Sequence, residues 1–260
     1  MSASRLQLRG IGRAFNGVPV LEHIDLDVAP GAMLGLIGPN GAGKTTLFNI
    51  LSGFVSSDSG SLRLDGQDIA RMSPRARSRG GVVRTFQNSL IFPSLAVRDN
   101  VAMALCAATG TGYRWWGGQS ARLAADMQAR VLLGQSGLAA RVDALAADLS
   151  YGEQRLLDVV IALAQTPRVL LLDEPTAGLS QAEAQQVLAL VSEHRADASV
   201  VLISHDIDIV FGVCERVAVL DLGRLIAIDT PAAIRADARV LSAYLGMPAA
   251  TLADVLEQAE

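Results

Sequence analysis

The sequence is poor in cysteine and in charged residues, and each shortage excludes a class of protein. Its two cysteines, Cys106 and Cys214, lie far apart, and neither has a second Cys or His at metal-ligand spacing. We therefore expect two buried, reduced thiols. Charged residues make up 18% of the chain and the formal net charge is −4. This balance argues against a disordered chain and against a nucleic-acid-binding surface.

Long apolar runs are also missing. Apolar runs such as residues 159–164 and 169–172 fall far short of the ~20 residues that a membrane-spanning helix needs. The N-terminus leads into an alternating pattern rather than a long apolar segment, which argues against a signal peptide. We expect a cytosolic chain, with any membrane part supplied by another polypeptide. The length predicts one domain with a substantial core, and a single compact enzyme.

The chain does contain short β-rich segments, followed by apolar strands that alternate with helices. The first group includes a strictly alternating run and predicts a partly antiparallel sheet. The second group predicts a buried parallel sheet with crossover helices, so the core is expected to be α/β. The segments are 6–8, 24–28, 33–37 and 61–64 in the first group, and 169–172, 199–203 and 217–220 in the second.

Residues 87–150 have a different pattern, rich in Ala and Leu, which predicts helices at 97–107 and 120–135. We interpret this stretch as a helical lobe inserted into a core formed by 1–86 and 151–260. A Gly-rich loop within it carries Trp115 and Trp116. Exposed aromatic residues often anchor interfaces, so this loop is either a partner contact or a segment that packs back onto its own lobe.

The segment after the 33–37 strand matches the pattern G-x-x-x-x-G-K-[ST] and precedes a predicted helix at 44–51. Glycines let the backbone N–H groups turn inward around phosphates, and the helix N-terminus adds the positive end of its dipole. Lys44 is placed to reach the β- and γ-phosphates of a nucleotide, and the Thr45 hydroxyl to ligate Mg²⁺. This loop alone does not distinguish kinases, GTPases and transport ATPases. The loop consists of Gly38, Pro39, Asn40, Gly41, Ala42, Gly43, Lys44, Thr45 and Thr46.

Two adjacent carboxylates follow the apolar strand at 169–172. Asp173, at the carboxyl end of that strand, is expected to lie next to the phosphate loop and to hold the Mg²⁺ shell. Glu174 faces the other way and can polarise a water for in-line attack. Such a pair favours hydrolysis over phosphoryl transfer to a second substrate.

A third motif, Leu-Ser-Tyr-Gly-Glu-Gln at 149–154, opens a helix about twenty residues before the acidic strand. Taken alone, Ser150 could be an ordinary N-cap. The helix start could equally offer its N–H groups and a hydroxyl to an anion. In this order and spacing the segment resembles the signature motif of ABC ATPases, and the resemblance covers nearly the whole chain.

The resemblance implies an ABC-type nucleotide-binding domain of the P-loop NTPase fold, with an antiparallel β subdomain and an inserted helical subdomain. It also implies roles for three residues outside the motifs above. Gln87 corresponds to the glutamine that joins core to lobe and senses Mg²⁺ and the attacking water. His205 corresponds to the switch histidine at the γ-phosphate, and Phe15 to the aromatic residue that stacks on adenine.

Two positions depart from the family pattern. Ser180 stands where many relatives carry Asp, in the loop that crosses between subunits, so communication between two ATP sites is expected to differ in detail. Tyr151 stands where Gly is commonest, a variation that amino-acid importers tolerate.

The resemblance further implies a dimer, made with a second copy or with a related ATP-binding chain. In it, Ser150, Gly152 and Gln154 of one chain contact ATP bound to the other, so that ATP closes the pair and hydrolysis opens it. The implied partners are integral membrane permease subunits and an extracytoplasmic solute-binding protein. They would hold the chain peripherally at the cytoplasmic face of the plasma membrane, and no nucleic-acid partner is expected.

Residues 84–92, 149–154 and 237–246 look like the ATP-binding subunits of branched-chain amino-acid importers, which makes import of these amino acids the predicted function. Urea and short-amide importers share much of the pattern and remain an alternative. A soluble ABC ATPase of translation or DNA repair would usually carry two cassettes or a long coiled-coil insertion. A P-loop small-molecule kinase would not need the motif at 149–154.

Overall fold

The computed structural model describes residues 4–86, 91–108, 119–194 and 198–245. These residues form two compact units: unit 1 within Met1–Pro74 and Ser199–Glu260, and unit 2 within Arg75–Ala198. No helix in the described ranges is both long and apolar enough to cross a membrane.

The elements are named here in chain order. The strands are β1 (Leu6–Phe15), β2 (Val18–Val28), β3 (Met33–Ile37), β4 (Ser59–Leu64), β5 (Gln67–Asp68), β6 (Val82–Arg84), β7 (Val169–Asp173), β8 (Ser199–Ile203), β9 (Arg216–Asp221) and β10 (Arg224–Asp229). The helices are α1 (Lys44–Ser52), α2 (Pro74–Arg79), α3 (Val97–Ala108), α4 (Gln119–Gln135), α5 (Tyr151–Ala164), α6 (Gln181–Glu193), α7 (Ile207–Val213), α8 (Pro231–Ala236) and α9 (Ala238–Leu245), with 3-10 turns at Ala139–Arg141 and Ala146–Asp148. Each strand and helix predicted from the sequence is present, so those predictions are confirmed.

Unit 1 contains the predicted antiparallel sheet, in the strand order β2-β1-β4-β5. Strands β1 and β2 form a hairpin whose two turn residues, Asn16 and Gly17, both have positive φ, as a tight hairpin turn requires. In β2 the apolar residues of the 24–28 segment are buried and alternate with more exposed aspartates. The alternation seen in the sequence therefore follows from one buried and one exposed face of the sheet.

A second set of strands in unit 1 lies in the order β10-β9-β3-β8. Strand β3 is parallel to both β8 and β9, and all five of its residues are buried. The prediction that grouped 33–37 with the strands of the antiparallel sheet is therefore wrong, because a strand buried on both faces belongs to the parallel set. Helix α7 packs closely on β3 at Gly35, where an added Cβ would lie 2.3 Å from Val210 and 3.3 Å from the Sγ of Cys214. A glycine at this position permits the close approach of helix and strand.

Unit 2 contains β6 and β7, which pair in parallel, and the helices α3 to α6. Helix α3 packs against α4 and α5, and α5 also packs against α6. Helices α3 and α4 match the segments predicted at 97–107 and 120–135. The assignment of 87–150 to an inserted lobe stays a prediction, and the loop with Trp115 and Trp116 lies outside the described residues.

The two cysteines are free thiols, but only one of them is buried as expected. Cys214 is buried, and this burial, together with the neighbouring charge of Glu215, raises the pKa of its thiol to about 12. Cys106 is half-buried, so the prediction of a buried thiol is wrong there. Cys106 lies near the end of α3, where Leu105 is buried and Ala107 is exposed. Cys106 is half-buried because it lies at the edge of the buried face of this amphipathic helix.

Candidate nucleotide-binding and hydrolysis site

The predicted phosphate loop lies in unit 1, between β3 and α1. Gly38 has a φ of 152°, and a Cβ placed there would lie 2.0 Å from the carbonyl oxygen of Leu220, so no other residue fits. Gly43 is the N-cap of α1 in the left-handed conformation, with a φ of 105°. The first turn of α1 contains no acidic residue and no side-chain cap. This nine-residue helix therefore presents the N–H end of its dipole without competition from a carboxylate, as an anion site requires.

Lys44 lies inside this loop. Its side chain is 7% exposed, and its Nζ donates to the carbonyl oxygens of Gly38 at 2.6 Å and Pro39 at 3.0 Å. The backbone thus holds an ammonium group at the helix N-terminus. Thr45 follows in the first turn and is exposed, so its hydroxyl is accessible at the same end of the helix.

Phe15 and His205 also belong to unit 1. Phe15 is the last residue of β1 and is 40% exposed, and the Arg13 guanidinium lies over its ring, 4.6 Å from the centroid. A partly exposed ring at the end of a strand can serve as a stacking platform. His205 is exposed and lies between β8 and α7, directly before Asp206, which caps α7 by accepting from the N–H groups of Asp208 and Ile209.

Sequence reasoning missed one residue near the phosphate loop. Tyr244 of α9 forms a hydrogen bond with the Gly38 backbone, and burial raises the pKa of its hydroxyl while that hydrogen bond acts in the opposite direction. The segment 237–246 had been used only as a marker of a subgroup. A tyrosine in a C-terminal helix carries no local signal of contact with a loop so distant in the sequence.

The predicted acidic pair lies in unit 2, at the end of β7. The side chain of Asp173 is 13% exposed, and its Oδ2 accepts from Nη2 of Arg84 at 2.7 Å. Arg84 is itself 6% exposed and stacks over the ring of Phe86 at 5.2 Å. Asp173 is therefore a buried carboxylate whose charge is compensated by a guanidinium from β6. Sequence reasoning did not identify Arg84 as its partner.

Glu174 is 7% exposed and adopts the left-handed conformation, with a φ of 51°. Its carbonyl oxygen accepts from Nη2 of Arg155 at 3.1 Å and from the N–H of Ala177 at 3.2 Å. Nη1 of Arg155 donates to the carbonyl oxygen of Phe86 at 2.9 Å. Arg155, which is 3% exposed, thus connects the backbone of Glu174 with that of Phe86, the residue before Gln87. Gln87 itself lies outside the described residues.

The start of α5 carries the residues of the predicted signature motif. The Ser150 Oγ accepts from the N–H of Glu153, and the Glu153 carboxylate accepts from the N–H of Ser150, which completes a capping box. Hydrogen bonds from Arg141 and from the Ser150 backbone lower the pKa of Glu153. The Ser150 side chain also forms a hydrogen bond with the Glu153 carboxylate, which contributes to this lowering, so its hydroxyl serves the helix cap. The contact of Ser150 with an anion stays a prediction.

The other two residues of the motif lie beside Ser150. Gly152 is buried, and a Cβ there would lie 2.1 Å from Oε1 of Glu183. The Gln154 side chain donates from Nε2 to the carbonyl oxygen of Leu149 at 3.1 Å. Unit 2 therefore brings the signature motif close to α6 as well as to the turn after β7.

Ser180, the residue that departs from the family pattern, is the N-cap of α6 and forms a second capping box with Glu183. Its hydroxyl and its N–H donate to Oε2 of Glu183 at 2.6 Å and 2.9 Å. These two hydrogen bonds lower the pKa of Glu183. Ser180 thus has a structural role in starting α6.

Known proteins resemble this chain over most of its length. The family model described as ABC transporter matches residues 21–177, and one described as Branched-chain amino acid ATP-binding cassette transporter matches residues 224–246. The chain is 34% identical to the high-affinity branched-chain amino acid transport ATP-binding protein LivG of Escherichia coli (strain K12) over 253 residues, 95% of this chain and 99% of LivG. BraF of Pseudomonas aeruginosa, which carries the same description, is 34% identical over 256 residues, with the same coverage of each chain. The lipopolysaccharide export system ATP-binding protein LptB of Escherichia coli (strain K12) is 34% identical over 243 residues, 93% of this chain and 97% of LptB.

Solved structures agree with these matches. A nucleotide-free ATP-binding cassette from an ABC transporter aligns with a TM-score of 0.81 and 26% identity, over 93% of this chain and 98% of that one. The ADP conformation of an ATP-binding cassette of an ABC transporter aligns with a TM-score of 0.83 and 27% identity, over 94% and 99%. The predicted ABC-type P-loop NTPase fold is confirmed. The chain belongs to the ABC transporter family, as an ATP-binding and ATP-hydrolysing subunit.

Proposed function

We propose that this chain drives the import of branched-chain amino acids, as one of two ATP-binding subunits on a membrane permease. The observation that carries this proposal is the match of residues 224–246 to the C-terminal model of branched-chain amino-acid cassettes. The likeness to LivG and BraF over 95% of the chain supports it further. Permease subunits would hold the chain at the cytoplasmic face of the membrane, and an extracytoplasmic binding protein would deliver the solute.

ATP binds, in this proposal, with its adenine on Phe15 and its phosphates on the loop from Gly38 to Thr46. Lys44 supplies the cation for the β- and γ-phosphates, and the start of α1 supplies backbone N–H groups. The absence of acidic residues in the first turn of α1 supports this placement.

The residues proposed for Mg²⁺ are oxygen donors of the kind this ion prefers: the Thr45 hydroxyl, the Asp173 carboxylate and the Gln87 side-chain amide. The chemistry of Asp173 fits this role, because it places a largely buried carboxylate at the end of β7, with its Oδ2 2.7 Å from Nη2 of Arg84. When bound, Mg²⁺ would neutralise charge on the β- and γ-phosphates.

Glu174 is the proposed base that orients and polarises the attacking water, and His205 the residue that contacts the γ-phosphate. The carbonyl of Glu174 is held by Arg155 and by the N–H of Ala177, which supports a fixed direction for its side chain. Glu174 can therefore accept a proton from water at a defined position, as in-line attack requires.

Each complete site is proposed to need two chains. Ser150, Gly152 and Gln154 of one chain would meet ATP held by Lys44 of the other, because the start of a helix offers backbone N–H groups to an anion. The second chain is either another copy or a related ATP-binding subunit.

A transport assay tests the cargo. The chain would be reconstituted in vesicles with candidate permease subunits and a solute-binding protein, and uptake of labelled leucine would be compared with uptake of urea. We expect ATP-dependent uptake of leucine that Lys44→Ala abolishes. Uptake of urea without leucine would contradict the proposal and would favour the short-amide alternative.

The same vesicles test Gln87. We expect Gln87→Ala to lower the ATPase activity coupled to transport more than it lowers ATP binding, because its proposed role is to sense Mg²⁺ and the attacking water. An equal loss of binding and activity would make Gln87 a structural residue.

A further inference from the structure

Glu174 has a backbone conformation that its surroundings must maintain. A left-handed φ in a residue with a side chain costs on the order of 1 kcal/mol and persists where neighbouring groups hold it. Here the Glu174 carbonyl accepts from Arg155 and from the N–H of Ala177, which closes the turn after β7. The direction of the Glu174 side chain thus depends on the position of this turn.

Tyr151 holds the other end of the same turn. Its Oη donates to the carbonyl oxygen of Ala177 at 3.2 Å, and a Cβ on Gly178 would lie 3.2 Å from its ring. Tyr151 and Arg155 are four residues apart and therefore lie on one face of α5. That face contacts both carbonyls of the turn, at Glu174 and at Ala177.

The start of α5 also contacts the start of α6, where the loop that follows β7 ends. Gly152 faces the Glu183 side chain closely enough that no Cβ fits between them. Glu183 is held there by the hydroxyl and the N–H of Ser180. An ionised aspartate side chain at position 180 could not donate to Glu183 as the Ser180 hydroxyl does, and it would place a second carboxylate beside Glu183.

We infer that α5 positions the base of its own chain: Tyr151 and Arg155 fix the turn that carries Glu174, and Tyr151 is a positioning residue for hydrolysis. This inference rests on the proposed function, in which Glu174 is the base and Ser150 meets ATP of the opposite chain. The first residues of α5 then contact the ATP held by the opposite chain, while Tyr151 and Arg155 of the same helix orient the base for the ATP held by their own chain.

Tyr151→Phe tests the contact, because it removes only the hydroxyl and keeps the ring against Gly178. A net hydrogen bond of about 1 kcal/mol corresponds to about a fivefold change in an equilibrium or a rate. In the full-length chain without nucleotide, hydrogen exchange of the amides of 174 and 176–180 should therefore be about fivefold faster. Exchange in α1 should not change. Unchanged exchange at 174–180, or an equal rise in α1, would overturn the inference, and this measurement needs no dimer.

Mixed dimers test the consequence for catalysis. One chain carries Glu174→Gln, so that only the other chain's Glu174 hydrolyses ATP, and two affinity tags isolate the mixed pair. Tyr151→Phe is then placed either in the chain with the working Glu174 or in the chain with Glu174→Gln. The second placement is a matched control, because composition and substitutions are identical.

The inference predicts about a fivefold slower rate when Tyr151→Phe shares a chain with the working base, and an unchanged rate in the other placement. The reverse pattern would mean that Tyr151 contacts the partner's ATP. Equal slowing would mean a general structural role, and no slowing would mean no role, so each of these results overturns the inference. If the pair with Glu174→Gln in both chains still hydrolyses ATP at the normal rate, the proposed function fails instead.

Discussion

The ion pair between Arg84 and Asp173 predicts a large loss of stability when its cation is removed. Both side chains are mostly buried, at 6% and 13% exposure, and their atoms are 2.7 Å apart. Removing one partner of a buried pair leaves an uncompensated charge, at a cost of about 3–5 kcal/mol. Since Asp173 keeps some exposure, we expect Arg84→Met to lower the free energy of unfolding by about 3 kcal/mol, at the lower end of that range.

Urea unfolding at pH 7 measures this change. With an m-value of about 3 kcal/mol/M, the midpoint should fall by about 1 M. Arg63→Met is the matched control: Arg63 is exposed on β4, so its loss should change the unfolding free energy by less than about 0.5 kcal/mol. The double variant Arg84→Met with Asp173→Asn removes both charges and should regain much of the loss.

Two results would refute this reasoning. Arg84→Met could prove no less stable than Arg63→Met, in which case the pair makes no net contribution. The double variant could prove as unstable as Arg84→Met alone, in which case the loss arises from packing rather than from an uncompensated charge.

Three further variants or labels test other parts of the molecule. Lys44 is the only lysine of the chain, so its labelling by an amine-acylating reagent can be assigned directly, and MgATP should protect it. Lys44→Ala should weaken ATP binding at least about tenfold, and unchanged affinity would contradict the phosphate loop assignment. Gly35→Ala should lower the free energy of unfolding by about 1–3 kcal/mol, because it overpacks α7 on β3. Gly212→Ala should not lower it, because no atom outside the adjacent residues and the backbone of α7 lies within 4 Å of the new Cβ; equal effects of the two changes in thermal unfolding would be inconsistent with this packing. Because burial raises the pKa of Cys214 to about 12, its thiol should stay protonated at pH 8 and react with a disulfide reagent only after unfolding. Half-buried Cys106 should react in the native chain, and equal native rates for the two thiols would contradict the burial of Cys214.

The sequence predicted those parts of the molecule that local rules determine. Alternation and apolar runs located the strands, because burial on one face or on both faces leaves those patterns. Fixed motif spacing located the loop between β3 and α1, the acidic pair after β7 and the start of α5. The Asn16-Gly17 hairpin also had a readable signal, since this dipeptide is typical of the tight turn between β1 and β2.

Contacts between distant segments could not be predicted in this way. Arg84 and Asp173 are 89 residues apart, and Arg155 reaches Phe86 over 69 residues. An arginine in a sequence indicates a charge but not its partner, which depends on how the strands and helices pack. For the same reason Tyr151 and Ser180 were noted as departures from a family pattern, while their contacts at Ala177 and Glu183 emerged only from the structure.

The composite site is the central claim, and the oligomeric state of Glu174→Gln tests it most directly. This change keeps the size and hydrogen-bonding capacity of the side chain but removes its charge, so hydrolysis should fall by orders of magnitude while ATP binding survives. In sedimentation velocity, Glu174→Gln should form a dimer with MgATP and a monomer with ADP. Adding Ser150→Arg, which places a bulky side chain at the proposed contact, should return the MgATP sample to monomer. A Glu174→Gln chain that binds ATP and remains monomeric at saturation would contradict the composite site.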